Sequence, residues 1–316
     1  MAPYSRREFT RMALLALPAG KLLTAARFLG APERSGVQLG LNVPYSFGNN
    51  TMGAEEVLKN CVQLGVGSLE LRSQPVEAFL GAPVASPPAP RTADSTTKAA
   101  AAALQKSYGE QLRQWRLGAA PAGAAALRRK YEDAGVKIDI VKFDNIYAMV
   151  DGELDYAFAL AKALGARAIS CEISTKDDDL RRVGSFADTH QLMVGYHGHT
   201  KVTPAIWENA FSLARHNGAN VDLGHFIAGN NYSPVEFIKK YHDRITHVHV
   251  KDRKLNEGPN VPFGTGDTPI VEVLRLIRDN NWPMQATIEF EYPVPAGSDR
   301  MTEIARSLKY CRDALI

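Results

Sequence analysis

From residue 37 to the end, short apolar runs alternate with amphipathic segments, and few architectures accept that alternation. The strand-like runs are 37–43, 68–71, 136–143, 167–173, 192–197, 219–223, 245–250 and 284–290, eight in all. Between them lie stretches with helical spacing, such as 151-DGELDYAFALAKALG-165 and 204-PAIWENAFSLARHNG-218. Gly65, Gly135, Gly165 and Gly218 each close such a stretch just before a strand, where a left-handed helix cap is expected. Strand–helix alternation implies a parallel sheet with right-handed crossovers, and eight repeats close into a (β/α)₈ TIM barrel. The other candidate, an open doubly wound sheet, lacks a GxGxxG turn after the first strand. The expected fold is therefore α/β, a single barrel over 32–316 with a helical insertion, about 75–128, after the second strand.

The insertion starts with the proline-rich 81-GAPVASPPAPRT-92 and continues with the alanine-rich 98-KAAAAALQKSYGEQLRQWRL-117, whose composition favours helix. Placed after a barrel strand, it is either a lid over the catalytic face or an appendage for packing or homo-oligomerisation. The first 31 residues read differently. Ser5-Arg6-Arg7-Glu8-Phe9 precedes a modest apolar run, the pattern of a twin-arginine export signal with its linker. The run is too short and too broken to span a membrane, so the expectation is a periplasmic protein with no stable membrane anchor after processing. A net charge of +3 gives no basic stripe for nucleic acid. Cys61, Cys171 and Cys311 have no metal-binding spacing and read as small buried residues.

In 246-THVHVKDRK-254, strand alternation puts His247, His249 and Lys251 on one face and Val248 and Val250 on the other. Other strands repeat the pattern near their carboxyl ends. Glu70 faces inward between Leu69 and Leu71, Glu172 between Cys171 and Ile173, and Asp222 between Val221 and Leu223. Glu289 and Glu291 alternate with Ile288 and Phe290, while His197 and His199 share a face and His225 follows on a loop. Buried charges are costly alone, so these groups must satisfy one another or a cation. Carboxylates with histidine suit a divalent metal such as Mn²⁺, Co²⁺, Mg²⁺ or Zn²⁺. The 264-GTGD-267 stretch reads as a turn and helix cap in preference to a phosphate loop.

Glu172, 222-DLGH-225, 247-HVHVKD-252 and 288-IEFE-291 on successive strands resemble the xylose-isomerase-like barrels. That group includes ketose 3-epimerases, inositol-pathway dehydratases and isomerases, and type IV apurinic endonucleases. The stretch 69-LELRSQPVEAFLGAP-83 with its proline-rich sequel resembles a narrower branch, exported proteins labelled sugar phosphate isomerase/epimerase. The resemblance implies metal ligands at Glu172, Asp222, His249 and Glu289, with Glu291 a rival for the last place. It implies substrate contacts at His197, His225 and Lys251, and Glu70 and Glu291 join them as inward polar groups. The epimerases carry an arginine a few residues past the His249 position, and here Lys251-Asp252-Arg253 replaces that pattern.

The expected function is a divalent-metal-dependent sugar or keto-sugar isomerase or epimerase. Glu172 and Glu289 would move a proton next to a carbonyl, through an enediolate. A lyase or hydratase acting on 3-keto-sugars or 3-keto-glycosides shares that first step. An endonuclease-IV-like hydrolase and a non-catalytic sugar-binding protein are the remaining alternatives.

Overall fold

The computed structural model describes residues 36–84, 92 and 94–316. The expected export signal at 1–31 and most of the proline-rich stretch lie outside the described residues. Eight parallel strands close a barrel: β1 (Leu39–Val43), β2 (Ser68–Arg72), β3 (Lys137–Lys142), β4 (Ala168–Glu172), β5 (Met193–His197), β6 (Asn217–Asp222), β7 (Ile245–Val250) and β10 (Gln285–Ile288). Neighbours follow chain order, and β10 pairs β1 to complete the ring. A short antiparallel hairpin, β8 (Asp252–Arg253) with β9 (Asn260–Val261), leaves the end of β7.

Helices cover the outside: α1 (Ala54–Leu64), α2 (Ser73–Phe79), α3 (Ser95–Gly118), α4 (Ala124–Asp133), α5 (Asp151–Ala163), α6 (Asp177–His190), α7 (Pro204–Leu213), α8 (Leu223–Asn230), α9 (Val235–Tyr241), α10 (Ile270–Asp279) and α11 (Arg300–Ala314). The apolar core lies between strands and helices, where Leu69, Leu71, Ile169, Val221, Val248 and Ile288 are fully buried. Each such side chain removed from water contributes roughly 1.5–3 kcal/mol. Cys61, Cys171 and Cys311 are free thiols in this layer, and burial raises all three pKa values.

The outward half of each strand thus follows the alternation. The inward half does not make the usual apolar filling. Below the mouth, Gln38, Ser68, Gln285 and Thr287 form a hydrogen-bonded chain across β1, β2 and β10. A polar interior of this kind is stable only when its groups are paired, and it leads directly into the acids and histidines above.

Two expectations change. Gly65, Gly135 and Gly165 take positive φ of 65°, 78° and 76° as expected of helix caps, but Gly218 lies within β6. A Cβ on Gly218 would come within 2.6 Å of the Arg244 carbonyl oxygen, so close approach of two strands, not a left-handed turn, calls for glycine there. His225, expected on a loop, sits in the first turn of α8, because Asp222 caps that helix through its Oδ1 and the His225 N–H, 2.7 Å.

The insertion contributes α3, capped by Asp94 at the Thr97 N–H, with no buried residue along its length. Its carboxyl end is tied to the outer helices. Arg116 pairs with Glu77 of α2 at 2.7 Å and with Glu153 of α5 at 3.2 Å, and Trp115 meets Tyr156 edge-on. Both carboxylates are nearly buried, so these bonds fix the helix against the side of the barrel. The described contacts are those of an appendage on the helical layer.

Candidate active site

The register of the barrel brings four of the inward groups together. Asp222 stands beside His249 across β6–β7, and Thr287 stands beside His249 across β7–β10. Two residues beyond Thr287 the chain presents Glu289, still held to the barrel by its N–H on the Val250 carbonyl, 3.0 Å. His249 Nδ1 then lies 3.4 Å from Glu289 Oε2 and 3.7 Å from Asp222 Oδ2. One ligand atom each from His197, Asp222, His249 and Glu289 falls within 4.8 Å of the others. All four residues are buried.

The other nitrogen of His249, Nε2, donates to the Glu70 carboxylate in a close bond, and Glu70 in turn lies 3.5 Å from His247. A ligating histidine ordinarily gives its second N–H to a carboxylate, which leaves the first nitrogen free for the metal. His249 Nδ1 and Asp222 Oδ2 have no hydrogen-bond partner; besides their mutual contact, Asp222 Oδ2 has an ionic contact with Lys251 at 3.0 Å. The donor set of imidazole and carboxylate fits a divalent cation. Burial disfavours charge on His249, but Glu70, Glu289 and Asp222 outweigh it and hold the imidazolium well above the usual range. A cation at Nδ1 must therefore displace a proton. Glu70, expected to hold substrate, is fully buried behind His249 and out of reach of the mouth.

Lys251, also expected at the substrate, is almost fully buried with its ammonium among three carboxylates. It lies 3.0 Å from Asp222 and 2.6 Å from Glu291, and it makes a close pair with Glu289. Burial opposes its charge, yet these acids raise its pKa well above the usual lysine range. Burial likewise pushes Asp222 and Glu289 up, and Lys251 foremost among the charges pulls both well below. Glu291 is set apart from the His249 cluster. It accepts from Tyr45 Oη at 2.5 Å and lines a cavity of about 390 Å³ with Tyr45, Asn50, Asn260, Phe290 and Arg300. Asn42 fixes Glu289 from the opposite side, its Nδ2 donating to Oε1 at 2.7 Å.

Glu172 points elsewhere. Its side chain is 47% exposed and accepts from Lys142 Nζ at 2.8 Å, with His199 Nε2 at 2.9 Å. Partial burial raises its pKa, but His199, His197 and Lys142 together hold it far below the usual range. His197, whose Nδ1 is buried without a hydrogen-bond partner, is the residue that falls within ligand distance of Asp222, His249 and Glu289 in this structure. Burial keeps His197 neutral, aided by Lys142 and His249.

Three participants escaped the reading of the sequence. Lys142 closes β3 directly after the apolar pair Ile140 and Val141, a signal like the one that drew attention to Lys251. Arg253 was noted only as a departure from a pattern, and it bonds His225 Nδ1 through Nη1 at 2.7 Å. Asp252 is buried and accepts from the N–H groups of Gly264, Gly266 and Thr268 at 2.8, 2.8 and 3.2 Å. The 264–267 turn is thus wrapped around an internal carboxylate.

Residues 178–314 match the family model described as xylose isomerase-like TIM barrel. Among curated proteins, an inosose dehydratase of Clostridium perfringens is 24% identical over 164 residues, 45% of this chain and 54% of the relative. The chain thus spans about half the length of the curated relatives it matches. Among solved structures, a xylose isomerase domain protein from Planctomyces limnophilus superposes with a TM-score of 0.58 at 14% identity, covering 88% of this chain and 96% of that one. The 3-keto-D-glucoside 4-epimerase of E. coli gives 0.57 at 13% identity, covering 88% and 99%. At such identities the structural likeness speaks for the fold. The closed parallel barrel agrees with the fold named by the family model that residues 178–314 match.

Proposed function

We propose that this barrel is a sugar-modifying enzyme that removes a proton from the carbon next to a carbonyl. The observation that carries the reading is the convergence of Asp222, His249 and Glu289 at the mouth, with His249 oriented from behind by Glu70. Asp222, His249 and Glu289 would hold a divalent cation, with His197 or Glu172 as the fourth ligand. When bound, that cation would polarise the carbonyl and acidify the neighbouring C–H. Glu172 and Glu289 are the proposed bases. Lys142 and His199 keep Glu172 ionised and ready to accept, though weakly basic, so it needs an acidified carbon. Glu291, Asn260 and Tyr45 offer hydroxyl partners along the cavity beside the centre.

Epimerisation or isomerisation returns the proton, whereas a lyase or dehydratase expels a neighbouring oxygen. The inosose dehydratases among the relatives keep elimination as the second reading. The test is turnover of a panel of sugars and keto-sugars in deuterated water. Deuterium is expected at carbon next to the carbonyl in recovered substrate or product. Turnover without carbon-bound deuterium would favour the hydrolytic alternative and end this reading. Metal analysis tests the ligands separately. Asp222→Asn keeps the helix cap and removes the charge, so it is expected to lose most bound metal while remaining folded. Full occupancy in that variant would refute Asp222 as a ligand.

Export belongs to the proposal as well, supported by Ser5-Arg6-Arg7-Glu8-Phe9. Replacing Arg6 and Arg7 by lysine is expected to retain the protein in the cytoplasm, and an unchanged periplasmic yield would show the signal to be misread.

A further inference from the structure

The cavity of about 390 Å³ beside the centre is lined by two aromatic residues, Tyr45 and Phe290, and by Arg300 of α11. Its volume is at the lower end of the range for small-molecule sites. Glu291 is the carboxylate in its lining, and that carboxylate is already engaged. It accepts from Tyr45 Oη at 2.5 Å, from Lys251 Nζ at 2.6 Å and from Asn260 Nδ2 at 3.3 Å, and the Lys251 ammonium neutralises it.

Arg300 has no such counterion: it forms no ion pair among the described residues. The acids beside it in the chain are taken up elsewhere. Asp299 caps α11 by accepting from the Thr302 N–H at 2.9 Å and from Thr302 Oγ1 at 2.8 Å. Glu303 accepts from Tyr292 Oη at 2.9 Å and pairs closely with Arg306. The guanidinium is nevertheless held in place. Its Nη1 donates to the Ser46 carbonyl at 3.0 Å, and its carbon lies over the Phe290 ring, 4.9 Å from the centroid. Ser46 is fixed in turn, its Oγ accepting from the Phe290 N–H at 3.2 Å. Gly48 makes room on a further side. It has a φ of 75°, and a Cβ there would stand 2.9 Å from Arg300 Nε. An arginine left to solvent keeps its rotamers free. This one is held on three sides, while Nε and Nη2 bond to no group among the described residues.

We propose that Arg300 is a specificity-determining residue and that the cavity is a subsite for a carboxylate on the substrate. A guanidinium is permanently charged, planar and a donor only, which matches it to a planar anion. Holding it in place beforehand lowers the cost of binding one. The substrate class this names is a sugar acid, with its carboxylate on Arg300 and neighbouring hydroxyls on Tyr45, Asn260 and Glu291. The inference deepens the proposed function and rests on it for the reaction. Recognition of the carboxylate does not depend on the chemistry at the centre.

The experiment is calorimetric titration of the full chain in the presence of a chelator, so that no carboxylate can be held through a metal. The probes are glucuronate and galacturonate, their neutral parents glucose and galactose, and glucose 6-phosphate. At least one sugar acid is expected to bind about tenfold or more tightly than its parent. Arg300→Met keeps the apolar contact with Phe290 and removes the charge, so it should abolish the preference and leave the affinity for the parent unchanged. Arg300→Lys should restore part of it. Sugar acids bound no more tightly than their parents by the wild type would overturn the proposal without recourse to any variant. So would a full preference in Arg300→Met, or tighter binding of glucose 6-phosphate than of either acid. Deuterium exchange separates this claim from the reaction. Absence of exchange with the preference intact would remove the reaction and leave the subsite standing, and exchange from neutral keto-sugars with no preference for acids would do the reverse.

Discussion

Lys251→Met is expected to destabilise the metal-free protein by about 3–5 kcal/mol, the loss found when one partner of a buried ion pair is removed. The cause is specific to this cage. Asp222, Glu289 and Glu291 share one ammonium, and Asp222 and Glu289 have almost no exposed surface through which water could replace it. Methionine fills a similar volume, so the change isolates charge from packing. The measurement is urea unfolding in the presence of a chelator. Divalent metal should recover part of the lost stability, because a cation bound by Asp222 and Glu289 neutralises the same oxygens. Metal should also bind the variant more tightly than the wild type, since it no longer displaces a resident ammonium. A variant as stable as the wild type in chelator would mean that the three acids are not ionised together.

Glu172→Gln should lower the rate of deuterium incorporation by about 10²–10⁴-fold, the usual loss for a general base. The substitution is nearly isosteric and keeps an oxygen that can accept from Lys142. Lys142 also retains the attraction of Glu70 and Glu289, so the fold is expected to survive. Metal content separates two roles for the residue. Loss of rate with metal retained would identify a base, and loss of both would identify a ligand. Exchange at the wild-type rate would eliminate Glu172 from the chemistry and direct attention to Glu289 alone.

Much of this site could be read from alternation. Glu70, Asp222 and His249 lie inside the barrel because strand side chains alternate strictly and their apolar neighbours Leu69, Leu71, Val221, Val248 and Val250 are all claimed by the helical layer. Alternation gives the face of a side chain and is silent about depth and partner. Glu70 and Glu172 face the same way in the reading, yet one is sealed behind His249 and the other stands half in solvent at the rim. Lys251 reads as an outstretched cation, and only the three-dimensional crowding of acids reveals it as their counterion. Arg253 lies on a hairpin beyond β7, where periodic patterns no longer apply, and reaches His225 across 28 residues of chain. Gly218 was misassigned because sequence marks a glycine and not the reason for it. The Arg244 carbonyl that excludes a side chain there is visible only after β6 and β7 have paired.

The turn around Asp252 has a consequence for what the mouth of the barrel will admit. In many barrels of this architecture, loops after the last strands grip the phosphate of a substrate with backbone amides. Here the amides of Gly264, Gly266 and Thr268 converge on a carboxylate supplied by the chain itself. The protein carries its own anion in that cradle, as a lock might be delivered with a key already turned in it. A phosphate monoester arriving there would find the donors engaged and a negative charge in front of it. The loop after β9 therefore has no free amide to offer a phosphate at Gly264, Gly266 or Thr268.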